Sequence, residues 1–204
     1  MTGNFAVTPG VPERRTCVDR AEETELLLRL RAGDERAFDA LYDSYRPRIY
    51  GFLVRLARRT DLAEDLLQET WLRFARSAPD LPEDTRLGAW LFTVARNLFI
   101  SYRRWALLDV DRLQELSLWP RSDPEELSPF DGACASELER DLERALASLP
   151  VADREVLLLV GVEQMDPAEA AAVLGIRADA FRKRLSRARA RLAALLELPE
   201  AVIA

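Results

Sequence analysis

The chain has 204 residues, 49% of them hydrophobic and 31% charged, with a formal charge of −6. That length supports one or two modest domains with a real core, and the apolar fraction excludes wholesale disorder. The complete lack of histidine excludes Ser-His and Cys-His dyads and any Cys/His zinc site, and two cysteines cannot build a four-thiolate site.

The eight glycines form no phosphate-cradling loop. No apolar run reaches the ~18 residues needed to cross a bilayer, and the first twenty residues hold no signal-length apolar stretch. The expectation is a cytoplasmic, non-enzymatic protein without membrane insertion, catalytic residue, metal or cofactor. Cys17 and Cys134 are expected to be reduced and incidental. Lys183 is the only lysine among 29 basic residues. Arginine is spread along the whole chain, so a GC-rich genome explains the bias better than selection for phosphate binding.

Residues 1–21 carry Gly3, Pro9, Gly10 and Pro12 and read as a loose tail. Residues 22–108 read as a helical domain. Leu26, Leu27 and Leu30 open one amphipathic stretch; Phe38, Leu41, Tyr42 and Tyr45 continue it, and Ile49, Phe52, Leu53 and Leu56 follow. Leu62, Leu66, Thr70 and Phe74 form the next stripe, with Asp61, Asp65 and Gln68 pointing away from it and Glu69 at its edge. In "RLGAWLFTVARNLFISYRRW", Leu87, Leu91, Val94, Ala95, Leu98 and Tyr102 take the core face. Trp90, Thr93, Arg96, Asn97, Ile100 and Arg104 are left around the other. Such a helix either packs on two sides or offers aromatic and arginine groups on which unpaired bases stack.

Charge is distributed in blocks. Arg46–Arg59 holds five arginines and no acid, and Arg86–Arg104 four and no acid. Asp109–Asp131 is net −5 and contains Pro120, Pro124 and Pro129, so residues 109–136 read as an acidic linker. Residues 137–197 read as a second helical domain, with helices over Leu138–Leu149, Asp153–Glu163, Ala168–Leu174 and Ala178–Glu197; 198–204 is a tail. No strand pattern of any length occurs, so the class is all-α.

"MDPAEAAAVLGIRADAFRKRL" has the anatomy of a helix-turn-helix. Asp166 caps, Pro167 takes the first helical position, Glu169 completes the start, and Gly175 ends the first helix. On the second helix Phe181, Leu185, Ala188 and Leu192 share one face. The remaining surface, within a net +6 stretch from Arg177 to Arg191, presents Lys183, Ser186 and Arg187, flanked by Arg182, Arg184, Arg189 and Arg191. Solvated helix faces usually mix signs to gain i,i+4 pairs; this face does not, and it suits a major groove. Arg189 and Arg191 suit phosphate contacts or the helix C-terminus.

"DLAEDLLQETWLRF" and "WLFTVARNLFISYRR" resemble region 2 of the extracytoplasmic-function (ECF) sigma factors of bacterial RNA polymerase. "LASLPVADREVLLL" with "LGIRADAFRKRLSRARARL" resembles their region 4. The resemblance implies two helical domains without catalytic residues that bind core polymerase, recognise promoter DNA and promote its melting. It implies that Asp61, Asp65, Gln68, Glu69, Leu72 and Arg73 dock on the β′ clamp helices, with region 4 on the β flap. It implies that Trp90, Arg96, Asn97, Ser101, Arg103 and Arg104 meet the −10 element, and that Arg177, Arg182, Lys183, Ser186, Arg187 and Arg189 meet the −35 element. The acidic linker would run through the RNA exit path, and an anti-sigma factor is implied as a partner. Three positions depart from the family pattern: Ser101 stands where Asp is common, Ala180 where Thr is, and Arg177 where Ser or Pro caps the recognition helix. The rival function is a sigma-like decoy that sequesters an anti-sigma factor without productive DNA binding. No receiver-like sequence accompanies the chain, and a basic recognition helix would have no purpose in a decoy.

Overall fold

The computed structural model describes residues 20–113, with side chains to Ala106, and residues 136–196. The N-terminal tail, most of the acidic segment, both cysteines and the last residues lie outside them. Among the described residues every regular element is helical.

Helix α1 (Arg20–Arg31) buries Leu26 and Leu27 and stops at Gly33, whose φ of +85° is the left-handed geometry glycine accepts. Asp34 then starts α2 (Glu35–Ala57) by accepting from the Arg36 amide at 3.0 Å while taking the Arg29 guanidinium at 2.7 Å. Helix α2 is the central rod: Leu41, Tyr45, Ile49, Phe52, Leu53 and Leu56 are fully buried along it. It continues through Pro47 and ends at Arg58, a non-glycine residue at φ +59° whose amide bonds the Val54 carbonyl. Helix α3 (Thr60–Ser77) packs Leu62, Leu66, Thr70, Trp71 and Phe74 inward. An aromatic cluster of Phe38, Tyr42, Trp71 and Phe74, with centroids 4.7–6.3 Å apart, joins α2 to α3.

Helix α4 (Leu87–Leu113) crosses α2 closely at Gly88, where an added Cβ would stand 3.2 Å from the Tyr45 hydroxyl. Its predicted stripe is buried or half-buried, but Phe92 and Phe99 are buried as well. The helix packs against α2 and α3, with Phe92 edge-on to Phe52 at 5.3 Å between centroids, and it also meets α7 of the second domain. It also continues to Leu113, so the first residues of the stretch assigned to the linker are helical.

In the second domain Ser136 and Glu139 form a reciprocal capping box for α5 (Glu137–Ser148). Helix α6 (Val151–Leu157) widens into a π-turn over Leu158–Val162. The single helix expected over Asp153–Glu163 is thus α-helical only in its first half. The wide turn delivers Glu163 inward, and Gln164 follows at φ +54°. Helix α7 (Pro167–Leu174) has the expected Asp166 cap and Gly175 stop at φ +64°. Helix α8 (Ala178–Leu195) buries Phe181, Leu185 and Ala188. Arg177 precedes it without a side-chain cap bond.

The two domains are not separate bodies. One hydrophobic cluster runs from Leu26 to Ala188, with α5 and α6 against α2, and α7 against α4.

Candidate functional site

Three polar surfaces and one buried junction hold every candidate residue. The first surface is the outer face of α3. Period-3.6 burial of the leucine stripe leaves Asp61, Asp65, Gln68, Leu72 and Arg73 exposed, with Glu69 half-buried and 2.8 Å from Arg73. Arg59 binds the Asp61 carboxylate and holds it below the ordinary aspartate range. Beside this face an open cleft of about 900 Å³ runs between α2 and α3, lined by Phe38, Tyr42, Tyr50, Leu67 and Trp71. The Trp71 indole N–H has no hydrogen-bond partner among the described residues.

The second surface is α4. Asn97, Ser101, Arg103 and Arg104 are exposed there, and the Arg103 guanidinium lies 5.8 Å from the Phe99 ring centroid. Two members of the predicted set sit differently. Trp90 is half-buried with its ring 6.0 Å from Phe74, so it packs in the core and is not a free stacking platform. Arg96 is turned into the second domain, with its Nε 3.1 Å from Glu155. The accessible aromatic of this helix is Trp105, 60% exposed beside Arg103 and Arg104. Sequence reasoning missed it because it lay at the end of the apolar stripe, although an aromatic directly after two arginines was the signal.

The third surface is α8. Arg177, Arg182, Lys183, Ser186 and Arg187 are all exposed, and Arg189 is half-buried. Arg182 pairs with Asp179 one turn earlier, and Arg187 Nε reaches the Lys183 carbonyl at 3.3 Å. Arg191, further along, binds Asp153 on α6 and so ties α8 to its own domain. The phase of Phe181, Leu185 and Ala188 makes the basic face project outward, because those three residues anchor the opposite side.

The junction is where the sequence was least informative. Asp153, Arg154 and Glu155 look like an ordinary charged helix start, yet all three are buried. Arg154 donates to the carbonyls of Leu146, Ala147 and Leu149 at 2.8, 2.7 and 2.9 Å. It also donates to those of Arg55 and Leu56 at 3.1 and 3.2 Å. One guanidinium thus caps the C-terminal ends of both α5 and α2, where helix dipoles favour a cation. Burial, reinforced by Arg58 and Arg103, pushes its pKa down to about 10, so it stays charged at neutral pH. The available signal was a charged triplet, Asp153 to Glu155, set directly before the apolar run Val156 to Val160.

The chain's profile matches agree with this layout: sigma-70 region 2 over residues 41–106 and sigma-70 region 4 over 139–192. The ECF RNA polymerase sigma factor EcfG of Rhodopseudomonas palustris is 35% identical over 151 residues, covering 74% of this chain and 80% of that protein. The RNA polymerase sigma factor CarQ of Myxococcus xanthus is 35% identical over 170 residues, covering 82% and 94%. Among solved structures, the sigma factor RpoE in complex with the anti-sigma factor NepR from Bartonella quintana superposes with a TM-score of 0.66 at 29% identity. That match covers 78% of this chain and 96% of RpoE. A two-domain helical chain with these matches belongs to the ECF RNA polymerase sigma factors. Its role is accordingly in promoter-directed transcription initiation, as a regulatory factor and not as a catalyst. Among the described residues no helix is long and apolar enough to cross a membrane.

Proposed function

We propose that the chain brings core RNA polymerase to promoters carrying separate −35 and −10 elements and helps open the duplex. The observation that carries this reading is the pair of outward faces on one chain: the acidic and amide face of α3 and the predominantly basic face of α8, where Asp179 is the one acid. In this reading Asp61, Asp65, Gln68, Glu69, Leu72 and Arg73 dock on the β′ clamp helices, and the second domain meets the β flap. Helix α8 lies in the −35 major groove, with Arg182, Lys183 and Ser186 toward base edges and Arg177, Arg187 and Arg189 toward phosphates.

Asn97, Ser101, Arg103 and Arg104 meet the −10 strand, joined by Arg96 once it is released. Trp105 supplies the stacking surface that Trp90, packed on Phe74, does not. Unstacking costs a few kcal/mol per base, and capture of the extruded base offsets it. An anti-sigma factor, of the kind that holds RpoE, is the regulatory partner in this reading.

The test is in-vitro transcription with purified core polymerase and a promoter library. Discrete, sequence-dependent start sites are expected. Failure to produce any, with intact binding to an anti-sigma factor, would replace this reading by the decoy.

A further inference from the structure

Four ion pairs across the domain junction share one polarity. Arg48 on α2 meets Glu163 at 3.0 Å, and Arg55 on α2 meets Glu143 on α5 at 2.7 Å. Arg86, just before α4, meets Glu169 on α7 at 3.5 Å, and Arg96 on α4 meets Glu155 on α6 at 3.1 Å. In all four the cation belongs to the first domain and the carboxylate to the second. In the same second domain most basic residues lie outward on α8, whereas the junction side presents these glutamates; the buried Arg154 there donates to backbone carbonyls.

The Glu155 side chain is only 2% exposed and that of Glu163 3%, so these carboxylates are desolvated in the junction and require their cations there. Arg96 is 19% exposed and adjoins Asn97, which is exposed. A nucleic-acid strand lying on Asn97 therefore reaches Arg96 only after Glu155 lets go.

We propose that the first domain's arginine face is a polyanion surface, and that in the free chain the glutamate face of the second domain occupies it in place of nucleic acid. Closure and strand binding then compete for Arg96, and the apparent affinity of the free chain for single-stranded DNA is reduced by the fraction that is closed. This rests on the reading in which Arg96 meets the −10 strand. The competition also has a built-in release. Both glutamates regain water on opening, so separation does not strand a buried charge.

The test uses the full chain and a short mixed-sequence single-stranded DNA labelled with fluorescein, read by anisotropy, with small-angle scattering on the same samples. Glu155→Gln keeps the side chain's shape and removes its charge. It is expected to tighten binding about fivefold or more, with an increased radius of gyration. Arg96→Gln placed on Glu155→Gln is expected to cancel the gain. Glu143→Arg, at a partly exposed position on α5, is expected to tighten binding in the same direction. That variant carries the decision if circular dichroism shows Glu155→Gln to be misfolded. Unchanged affinity in the folded variants overturns the proposal. Its failure is separable from failure of the function: a wild-type chain that starts no specific transcripts with core polymerase sinks the promoter reading, whereas the scattering and oligonucleotide measurements report closure regardless.

Discussion

Replacing Arg154 with methionine tests the junction most directly. The substitution keeps a long apolar stem of similar reach and deletes the donors that serve five carbonyls. A hydrogen bond to a charged group contributes roughly 1.5–3 kcal/mol, and a buried carbonyl left unpaired costs ~1–3 kcal/mol. A simple total overshoots, because removing a buried guanidinium also removes its desolvation penalty. That penalty is visible here in the pKa pushed down to about 10.

Some carbonyls will also find water once the site loosens. The expected net loss is about 3–5 kcal/mol, at the top of the range for single substitutions. Urea unfolding of the full chain, followed by far-ultraviolet circular dichroism, measures it. Because two of the five bonds reach α2 and three reach the end of α5, the transition should also broaden or split as the domains uncouple. A loss below about 1 kcal/mol with an unbroadened transition would refute the claim that Arg154 holds both helix ends.

Asp65→Arg reverses charge on the exposed face of α3 without touching the core. Pull-down with core polymerase should fail, while gel shift shows DNA binding by the second domain intact. Arg177→Ser provides the cap that α8 lacks and should raise stability by about 0.5–1 kcal/mol in thermal melts. It should also weaken −35 DNA binding, since it removes one exposed cation; a gain in both would exclude Arg177 from the interface.

Glu23 is bonded by the Tyr45 hydroxyl, but burial dominates and raises its pKa above the ordinary glutamate value. Its favourable contribution is therefore complete below the unfolded pKa of about 4.3 and is lost as pH rises through the folded value. Glu23→Gln should match the wild type near pH 4 and exceed it near neutrality. Denaturation midpoints at the two pH values check this, and an equal or lower midpoint at neutral pH would contradict it.

Much of the molecule follows from local rules that one sequence displays. Apolar spacing placed the helices, Asp166 and Gly175 bounded α7, and the phase of Phe181, Leu185 and Ala188 determined which side of α8 is basic. Asp61, Asp65 and Gln68 were legible for the same reason: a helix with one apolar stripe must expose the opposite side. These features depend on neighbours three or four positions apart.

The tertiary structure decided the rest. Phe92 is buried because Phe52 of α2 covers it, and α4 also meets α7 of the second domain; a single stripe encodes neither contact. Trp90 and Arg96 look equivalent to Asn97 and Arg104 on a helical wheel. They differ because Phe74 covers one and Glu155, far away in the chain, binds the other. Arg154 and its five carbonyls come from three chain segments, α2, α5 and α6. Periodicity reports that a side chain needs burial or solvent. Which partner meets a buried charge depends on how distant helix ends converge, and only the packed fold contains that information.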